Sequence, residues 1–367
     1  MKKLRVILLG AILTSISSVS FGSLIDCYKL SLNIRNNSAN VIKACLPYKN
    51  NNPKVQGILG SAYYFDKNYK LAEKHINEMI KYYQVSGLPS DQNARTGLAD
   101  SYTGLGNLYY FGEGLPKNTQ KGFEFISKGA DLGSVIAQYQ LGRIYTTNSK
   151  IPLGYKWFEI SWINGGGDEA NYKEDFIKLK KQLPYCTTQG QILVSNAYKN
   201  GIGGLEKSYD ESMNWLNKAY EIDAKVPMVT FNLAQNYYTY EANENKAFSY
   251  AKESAQAPYA PSLELLGQYY LKGIGTNKND VNAYVYLTLA SYYYQNPAKS
   301  YWEKYVEPCR PDYTKNPQGF NLASTNNSLE KIKLSKSEKQ QAEIMIEKLK
   351  GELVKAGVWF FCQKNYY

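Results

Sequence analysis

A short pattern, Leu-Gly with Tyr three residues after the Gly, recurs along most of the chain and constrains the fold more than any other feature. The clearest copies begin at Leu105 and Leu266, and each runs into a Gly-x-Gly. Similar units spaced about 36 residues apart are typical of a repeat fold rather than of a single core. Aligned on the tyrosine, the six copies stand at Tyr63, Tyr109, Tyr145, Tyr198, Tyr237 and Tyr270.

Each copy predicts two helices. Leu and Tyr at positions i and i+4 share one face of a helix, and the Gly between them lets a neighbouring helix approach closely. The Gly-x-Gly predicts the end of that helix, where residues with positive φ are needed. A second helix follows a polar turn, as over residues 121–130, where the aromatic Phe125 and the small Gly129 are spaced four apart. The pattern therefore predicts a series of helical hairpins.

These residues resemble the Sel1-like repeat, a relative of the tetratricopeptide repeat. Residues 104–133 and 263–290 fit its pattern best, whereas Ser195 and Ala234 stand where it has Gly, and the third copy lacks the Gly-x-Gly. The resemblance covers residues 55–295. It implies an all-α fold, a right-handed α-solenoid of about six Sel1-like hairpins with capping helices at both ends, because one hairpin cannot bury its apolar faces alone.

The first 22 residues have the features of a secretory signal peptide. Lys2 and Lys3 precede an apolar run over residues 6–16 that is too short to span a bilayer, and the small residues Ser20 and Gly22 follow. We expect cleavage after Gly22 and a periplasmic or secreted protein without a transmembrane segment. An uncleaved membrane anchor is the alternative.

The remaining chain divides around the repeats. Residues 23–54 are predicted to form N-terminal capping helices, and residues 55–295 the repeat solenoid, with an insertion at 171–190. Residues 296–367 are predicted to hold a loop and C-terminal capping helices. The insertion is predicted to add an amphipathic helix, and the loop is marked by several prolines.

Five cysteines in an exported chain are candidates for disulfides. Cys27 and Cys45 lie on two short apolar segments that could pair as a hairpin, so they form the first predicted pair. Cys309 and Cys362 form the second predicted pair, and Cys186 is left over. Neither CxxC nor a Cys/His metal spacing occurs, and the connectivity stays open.

Composition excludes some functions more firmly than others. The formal net charge is +11, but the excess of basic residues is dispersed, and nucleic-acid binding needs a concentrated basic face. Dispersed positive charge is compatible with an anionic envelope surface. The single histidine, His75, is expected to be a surface or interface residue, because hydrolase triads and zinc sites need more. We expect no enzyme activity, cofactor or metal.

The resemblance implies where a partner would bind. In the related tetratricopeptide fold, the groove-facing positions follow the Gly and the Tyr of each first helix. We call the positions after the Gly the first row and those after the Tyr the second row. The first row is polar throughout, and it comprises Ser61, Asn107, Arg143, Asn196, Gln235 and Gln268. The second row comprises Tyr64, Tyr110, Thr146, Lys199, Tyr238 and Leu271.

The resulting hypothesis is a non-catalytic adaptor of the bacterial envelope or secreted space, binding a protein or peptide in the groove for envelope assembly or host interaction. Amide side chains at regular spacing can hold a peptide backbone, while tyrosines bury its side chains. One alternative is an immunity protein that neutralises an envelope-acting toxin. A second alternative is a peptidoglycan-binding or cell-wall-modifying protein.

Overall fold

A computed structural model describes residues 23–166, 184–224, 226–295 and 322–364, and it describes side chains for these residues except 184, 185 and 354–364. Within these ranges the chain forms 16 α-helices and no strand, which confirms the all-α hairpin fold. Two compact units are distinguished, residues 1–97 with 112–117 and residues 98–111 with 118–367, and each is described by itself. None of the described helices is long and apolar enough to cross a bilayer.

The first unit contains two short helices followed by the first hairpin. Its helices are α1 (Leu24–Ser31), α2 (Ile34–Cys45), α3 (Pro53–Phe65) and α4 (Tyr69–Ser86), and α5 (Gln92–Asn107) begins in it. The side chains of Asn52 and Asn68 accept backbone N–H groups at the starts of α3 and α4, as good N-caps do. Successive helices pack in order, α1 on α2, α2 on α3 and α3 on α4.

A disulfide joins Cys27 of α1 to Cys45 of α2. Both residues are fully buried in an apolar cluster that also contains Val41 and Leu59. The Cys27–Cys45 bond therefore ties the two helices that precede the first hairpin to each other inside their shared core.

Cys186 also takes part in a disulfide, so the expectation that it is left over is wrong. Its partner lies outside what the structure describes. The predicted pair of Cys309 and Cys362 falls on residues whose side chains are not described.

The second unit continues the series of hairpins. It contains most of α5 and then α6 (Thr119–Asp131), α7 (Val135–Thr147), α8 (Ile151–Ile163), α9 (Pro184–Asn200), α10 (Tyr209–Ile222), α11 (Pro227–Thr239), α12 (Glu244–Ser254), α13 (Ala260–Lys272), α14 (Asp280–Gln295), α15 (Leu322–Glu330) and α16 (Lys336–Lys364). α6 meets α5 at Gly106 and Ile126 and packs on α7, and each later second helix up to α12 packs on its own first helix and on the next one. α14 packs on α13, and both α15 and α16 pack on α14.

The repeat glycine and tyrosine have clear packing roles. A Cβ atom at Gly267 of α13 would lie 2.8 Å from Cγ of Leu287 in α14, so only Gly allows this approach. The repeat tyrosine stacks nearly parallel on a ring of the second helix in several hairpins. These stacked pairs are Tyr63–His75 in the first unit, and Tyr109–Phe125, Tyr237–Tyr250 and Tyr270–Tyr286 in the second.

The Gly-x-Gly after α13 links neighbouring hairpins. Gly273 and Gly275 both have positive φ, which Gly adopts without cost. A Cβ atom at Gly275 would overlap the carbonyl oxygen of Glu244, at the start of α12. The turn that ends one first helix is thus packed against the second helix of the preceding hairpin.

Two predicted segments are seen only in part. Residues 171–183 of the predicted insertion lie outside the described residues, and α9 already begins at Pro184. Within the predicted C-terminal segment, residues 296–321 are likewise not described. Ser335 caps α16 through a reciprocal pair with Glu338, in which the Ser335 hydroxyl donates to the carboxylate over 2.7 Å.

Candidate functional site

The first-row residues of the second unit differ in how far they are exposed to solvent. Arg143 is exposed, whereas the amide residues of the row are half-buried. The side chains of Asn196 and Gln235 have no hydrogen-bond partner among the described residues. The first-row residues of the second unit are Asn107 on α5, Arg143 on α7, Asn196 on α9, Gln235 on α11 and Gln268 on α13.

Asn107 differs from the other amides of the row. Its Oδ1 atom is buried and accepts no hydrogen bond from the described residues. A buried acceptor without a donor costs free energy, so this oxygen is suited to accept an N–H or O–H group from outside the described chain. Ser61, the first-row residue of the first unit, is half-buried on α3.

Half of the second-row residues are aromatic, and the members of the row differ in how far neighbours cover them. Tyr238 is 42% exposed, and its ring lies 5.8 Å from the ring of Tyr269 on the next first helix. Tyr110 is half-buried and meets Phe111 edge-on. In the first unit, Tyr64 is half-buried, and burial raises its phenol pKa.

Thr146 and Leu271 offer less to a partner than the rest of the second row. The Thr146 hydroxyl donates to the Gly142 carbonyl of its own helix over 2.7 Å, and Leu271 is half-buried. In the second unit, the polar and aromatic surface of the second row is therefore concentrated at Tyr110, Lys199 and Tyr238.

Lys199 connects two neighbouring first helices. Its Nζ atom lies 3.5 Å from Oδ1 of Asn236 on α11 and 5.3 Å from the ring centre of Tyr240. Burial lowers the pKa of Lys199, and the nearby Tyr209 partly offsets this effect. The structure thus brings Lys199 of the second row together with two residues that the repeat pattern did not single out.

The first row is covered at its last member. Gln268 on α13 donates from Nε2 to the Ser328 hydroxyl of α15 over 2.9 Å, and Ser291 on α14 donates to Oδ1 of Asn326 over 3.0 Å. Thr325 of α15 is fully buried. The chain's own helix therefore occupies the position that a partner would need at Gln268.

Glu264 lies beneath this contact. It is 1% exposed, and the Tyr294 hydroxyl donates to its carboxylate over 2.9 Å. Burial raises the pKa of Glu264, while hydrogen bonds from Tyr294 and Thr325 act in the opposite direction. Residues 322–330 carry no repeat signature, so nothing in the pattern indicated that they would lie against Glu264 and Gln268.

Metal-ligating and titratable side chains lie among the described residues. No group of three or more His, Cys, Asp or Glu side chains among them could hold a metal ion. His75 is buried, stacks on Tyr63 and places Nδ1 2.6 Å from Oε1 of Gln56, so it is an interface residue. Burial lowers the pKa of Lys156 on α8 to about 8, and Asp131 opposes the shift.

The Sel1 repeat family model matches residues 99–134, 188–222, 231–259 and 260–292. No curated protein sequence matches the chain. The repeats at 99–134 and 260–292 include the two clearest copies of the Leu-Gly pattern, with their Gly-x-Gly turns.

Two bacterial proteins are among the solved structures to which this chain is similar. One is a protective antigen of uropathogenic Escherichia coli strains that displays an SLR fold; it is 18% identical over 93% of this chain and 79% of that one, with a TM-score of 0.31. Another is a Sel1 repeat protein from Oxalobacter formigenes, 17% identical over 74% and 72% of the two chains, with a TM-score of 0.29. On the family-model matches, the chain carries four Sel1 repeats between residues 99 and 292.

Proposed function

We propose that this chain is a non-catalytic adaptor that binds a protein or peptide along the first helices of its second unit. Sel1-repeat proteins generally act as scaffolds for protein–protein interaction. The observation that supports a binding surface here is the open part of the two rows. Arg143 and Tyr238 are exposed there, and Asn196 and Gln235 have no hydrogen-bond partner among the described residues.

These side chains are suited to a polypeptide ligand. Amides can both donate to and accept from a peptide backbone, and Arg and Tyr are common anchors in protein interfaces. Because α15 covers Gln268, the available surface runs over α7, α9 and α11 rather than to the last first helix. The ligand in this proposal is a segment that spans these three helices.

The proposed location is the bacterial envelope or the secreted space. The basic, apolar and small-residue pattern of the first 22 residues supports it. Cell fractionation of the tagged full chain tests this directly, since we expect the protein in the periplasm or medium without its first 22 residues. Recovery of the unprocessed chain from the cytoplasm would contradict the proposed location.

The binding surface is tested with a fourfold alanine variant of Arg143, Asn196, Gln235 and Tyr238. A matched control replaces one cation, two amides and one exposed tyrosine elsewhere: Lys218, Asn214, Asn217 and Tyr82. Partners are captured from the envelope fraction on each protein, identified by mass spectrometry, and their affinities are then measured with purified proteins. We expect at least a hundredfold weaker binding for the fourfold variant, about 3 kcal/mol, and a change below threefold for the control.

The outcome also separates the proposed function from its rivals. A captured envelope-acting toxin whose activity is blocked would identify an immunity protein. Sedimentation with purified peptidoglycan, or release of muropeptides from it, would identify a cell-wall protein instead. Equal partner affinity in the fourfold variant and the wild type would exclude this surface.

A further inference from the structure

A stacked tyrosine pair lies beside the open part of the second row. Tyr209 is the first residue of α10, and Tyr240 directly follows α11. Their ring centres are 3.7 Å apart with an interplanar angle of 24°. Both residues are partly exposed, so the pair forms an aromatic surface that solvent still reaches.

Two lysines approach this pair. The Nζ atom of Lys207 lies 5.4 Å from the ring centre of Tyr209, and the Nζ atom of Lys199 lies 5.3 Å from that of Tyr240. These are distances at which an ammonium group is attracted to a ring face. Lys199 is also oriented by Oδ1 of Asn236, which is 3% exposed and whose Nδ2 donates to the Ser212 hydroxyl over 3.4 Å.

The charge of these lysines is not balanced nearby. Among the described residues, no carboxylate lies within 4.0 Å of either Lys199 or Lys207. Lys199 is half-buried, and a partly desolvated cation without a counter-ion costs free energy. The Lys207 ammonium beside the Tyr209 phenol, together with Tyr240 and the nearby Lys199, lowers the pKa of this phenol against the effect of burial, so its hydroxyl is a strengthened hydrogen-bond donor.

We infer that Lys199, Lys207 and the Tyr209 hydroxyl form a binding site for carboxylates of an acidic segment of the partner polypeptide. Two ammonium groups and a phenol supply the donors that a carboxylate accepts from. Asn196 precedes Lys199 by three residues on α9, and Gln235 precedes Asn236 on α11. The site therefore continues the surface of the proposed function, on which this inference rests, and adds the charge of its ligand.

The test uses a fluorescein-labelled hexaglutamate peptide and the full chain, with binding followed by fluorescence anisotropy at low and moderate salt. Replacing Lys199 and Lys207 by Met is expected to weaken binding at least tenfold. Tyr209→Phe keeps the ring stack and should weaken it about threefold, because one donor is lost. Affinity for wild-type protein should fall as salt rises.

The matched control is a double variant, Lys218→Met with Lys252→Met. These two lysines also lie over rings, Trp215 and Phe248, but on second helices. An equal loss in this control would show general charge attraction and overturn the site. Absence of hexaglutamate binding to the wild type would overturn it as well, as would a much tighter hold on inorganic polyphosphate, which would indicate a phosphate site.

This experiment is independent of the natural partner. If the fourfold alanine variant loses its partner but hexaglutamate does not bind, the adaptor function stands and the carboxylate site falls. If hexaglutamate binds at the two lysines but the fourfold variant keeps its partner, the carboxylate site stands and the proposed adaptor surface falls.

Discussion

The two ends of the repeat series are closed by different chemistry. Before the first hairpin, α1 and α2 are joined by the buried disulfide Cys27–Cys45. After the last hairpin, α15 is held on α13 and α14 by hydrogen bonds such as Gln268–Ser328. Thr325 of α15 is fully buried. The disulfide keeps α1 and α2 together as one pair, whereas α15 meets α13 and α14 through hydrogen bonds and packing that a ligand with the same donors and acceptors could replace.

Breaking the covalent closure should have the largest effect. Replacing Cys27 and Cys45 by Ser is expected to lower the free energy of unfolding of the first unit by about 3 kcal/mol, because the unfolded loop is no longer constrained. Hydrogen–deuterium exchange of α1 and α2 measures the loss. The variant is preferable to a reductant, since reduction would also open the Cys186 bond. Unchanged exchange in α1 and α2 would contradict the prediction.

The second-largest effect is expected from overpacking the C-terminal closure, the contact of α15 with α13 and α14. Thr325→Phe places a ring where the native side chain is fully buried, and such overpacking costs about 1–3 kcal/mol. A helix of nine residues is not stable alone, so amide exchange over residues 322–330 should accelerate roughly fivefold to a hundredfold. Asn327→Phe, at an exposed position of α15, is the control and should leave exchange near the wild-type rate.

The C-terminal closure should also weaken as pH rises. The pKa of Glu264 is raised in the fold by burial, so its contribution to stability is complete below the unfolded value of about 4.3 and is lost as pH rises through the folded pKa. Glu264→Gln keeps an acceptor for Tyr294 and removes the loss. At pH 7.5 its Tm should exceed that of the wild type by about 2–4 °C, and the difference should close near pH 4. A constant difference across this range would refute the assignment.

The first hairpin, α3 and α4, should show the opposite pH dependence. Its effect should be the smallest of those predicted here. Burial lowers the pKa of His75, helped by Lys49 and Lys74, so its contribution is complete above the unfolded value of about 6.5 and is lost as pH falls toward the folded pKa. His75→Phe keeps the stack on Tyr63 but cannot be protonated. Between pH 7 and 5 the first unit of the wild type should lose more stability than the variant, measured by exchange in α3 and α4; parallel losses would contradict this.

The hairpins and the fold class could be predicted from the sequence because they depend on local spacing. Gly267 and Tyr270 share a pattern of a few residues, and their packing partners Leu287 and Tyr286 come from the next helix, so the hairpin followed from the repeat. The fold class and the Sel1-type repeats were confirmed on this basis. The two rows remain a prediction, because whether a partner binds them is not a property of the free chain.

Contacts between distant segments were not predictable in the same way. Ser328 is 60 residues from Gln268, and its helix has no repeat signature, so nothing local indicates that it covers the row. The pairing of Tyr209 with Tyr240 depends on how one hairpin turn meets the next, which spacing within a repeat does not determine. His75 occupies a position that other hairpins fill with Phe or Tyr, and its ring stacks on the repeat tyrosine as theirs do. Because the residue is a histidine, the repeat pattern did not indicate this stack.

The contact at Gly275 bears on how such chains gain and lose repeats. Since the turn after one first helix fits against the second helix of the preceding hairpin, a hairpin copied without the following turn would leave the start of its second helix uncovered. The unit that keeps this contact intact is therefore offset from the visible hairpin: it extends from a second helix through the next Gly-x-Gly, so inserting or deleting a repeat with these borders would preserve the contact.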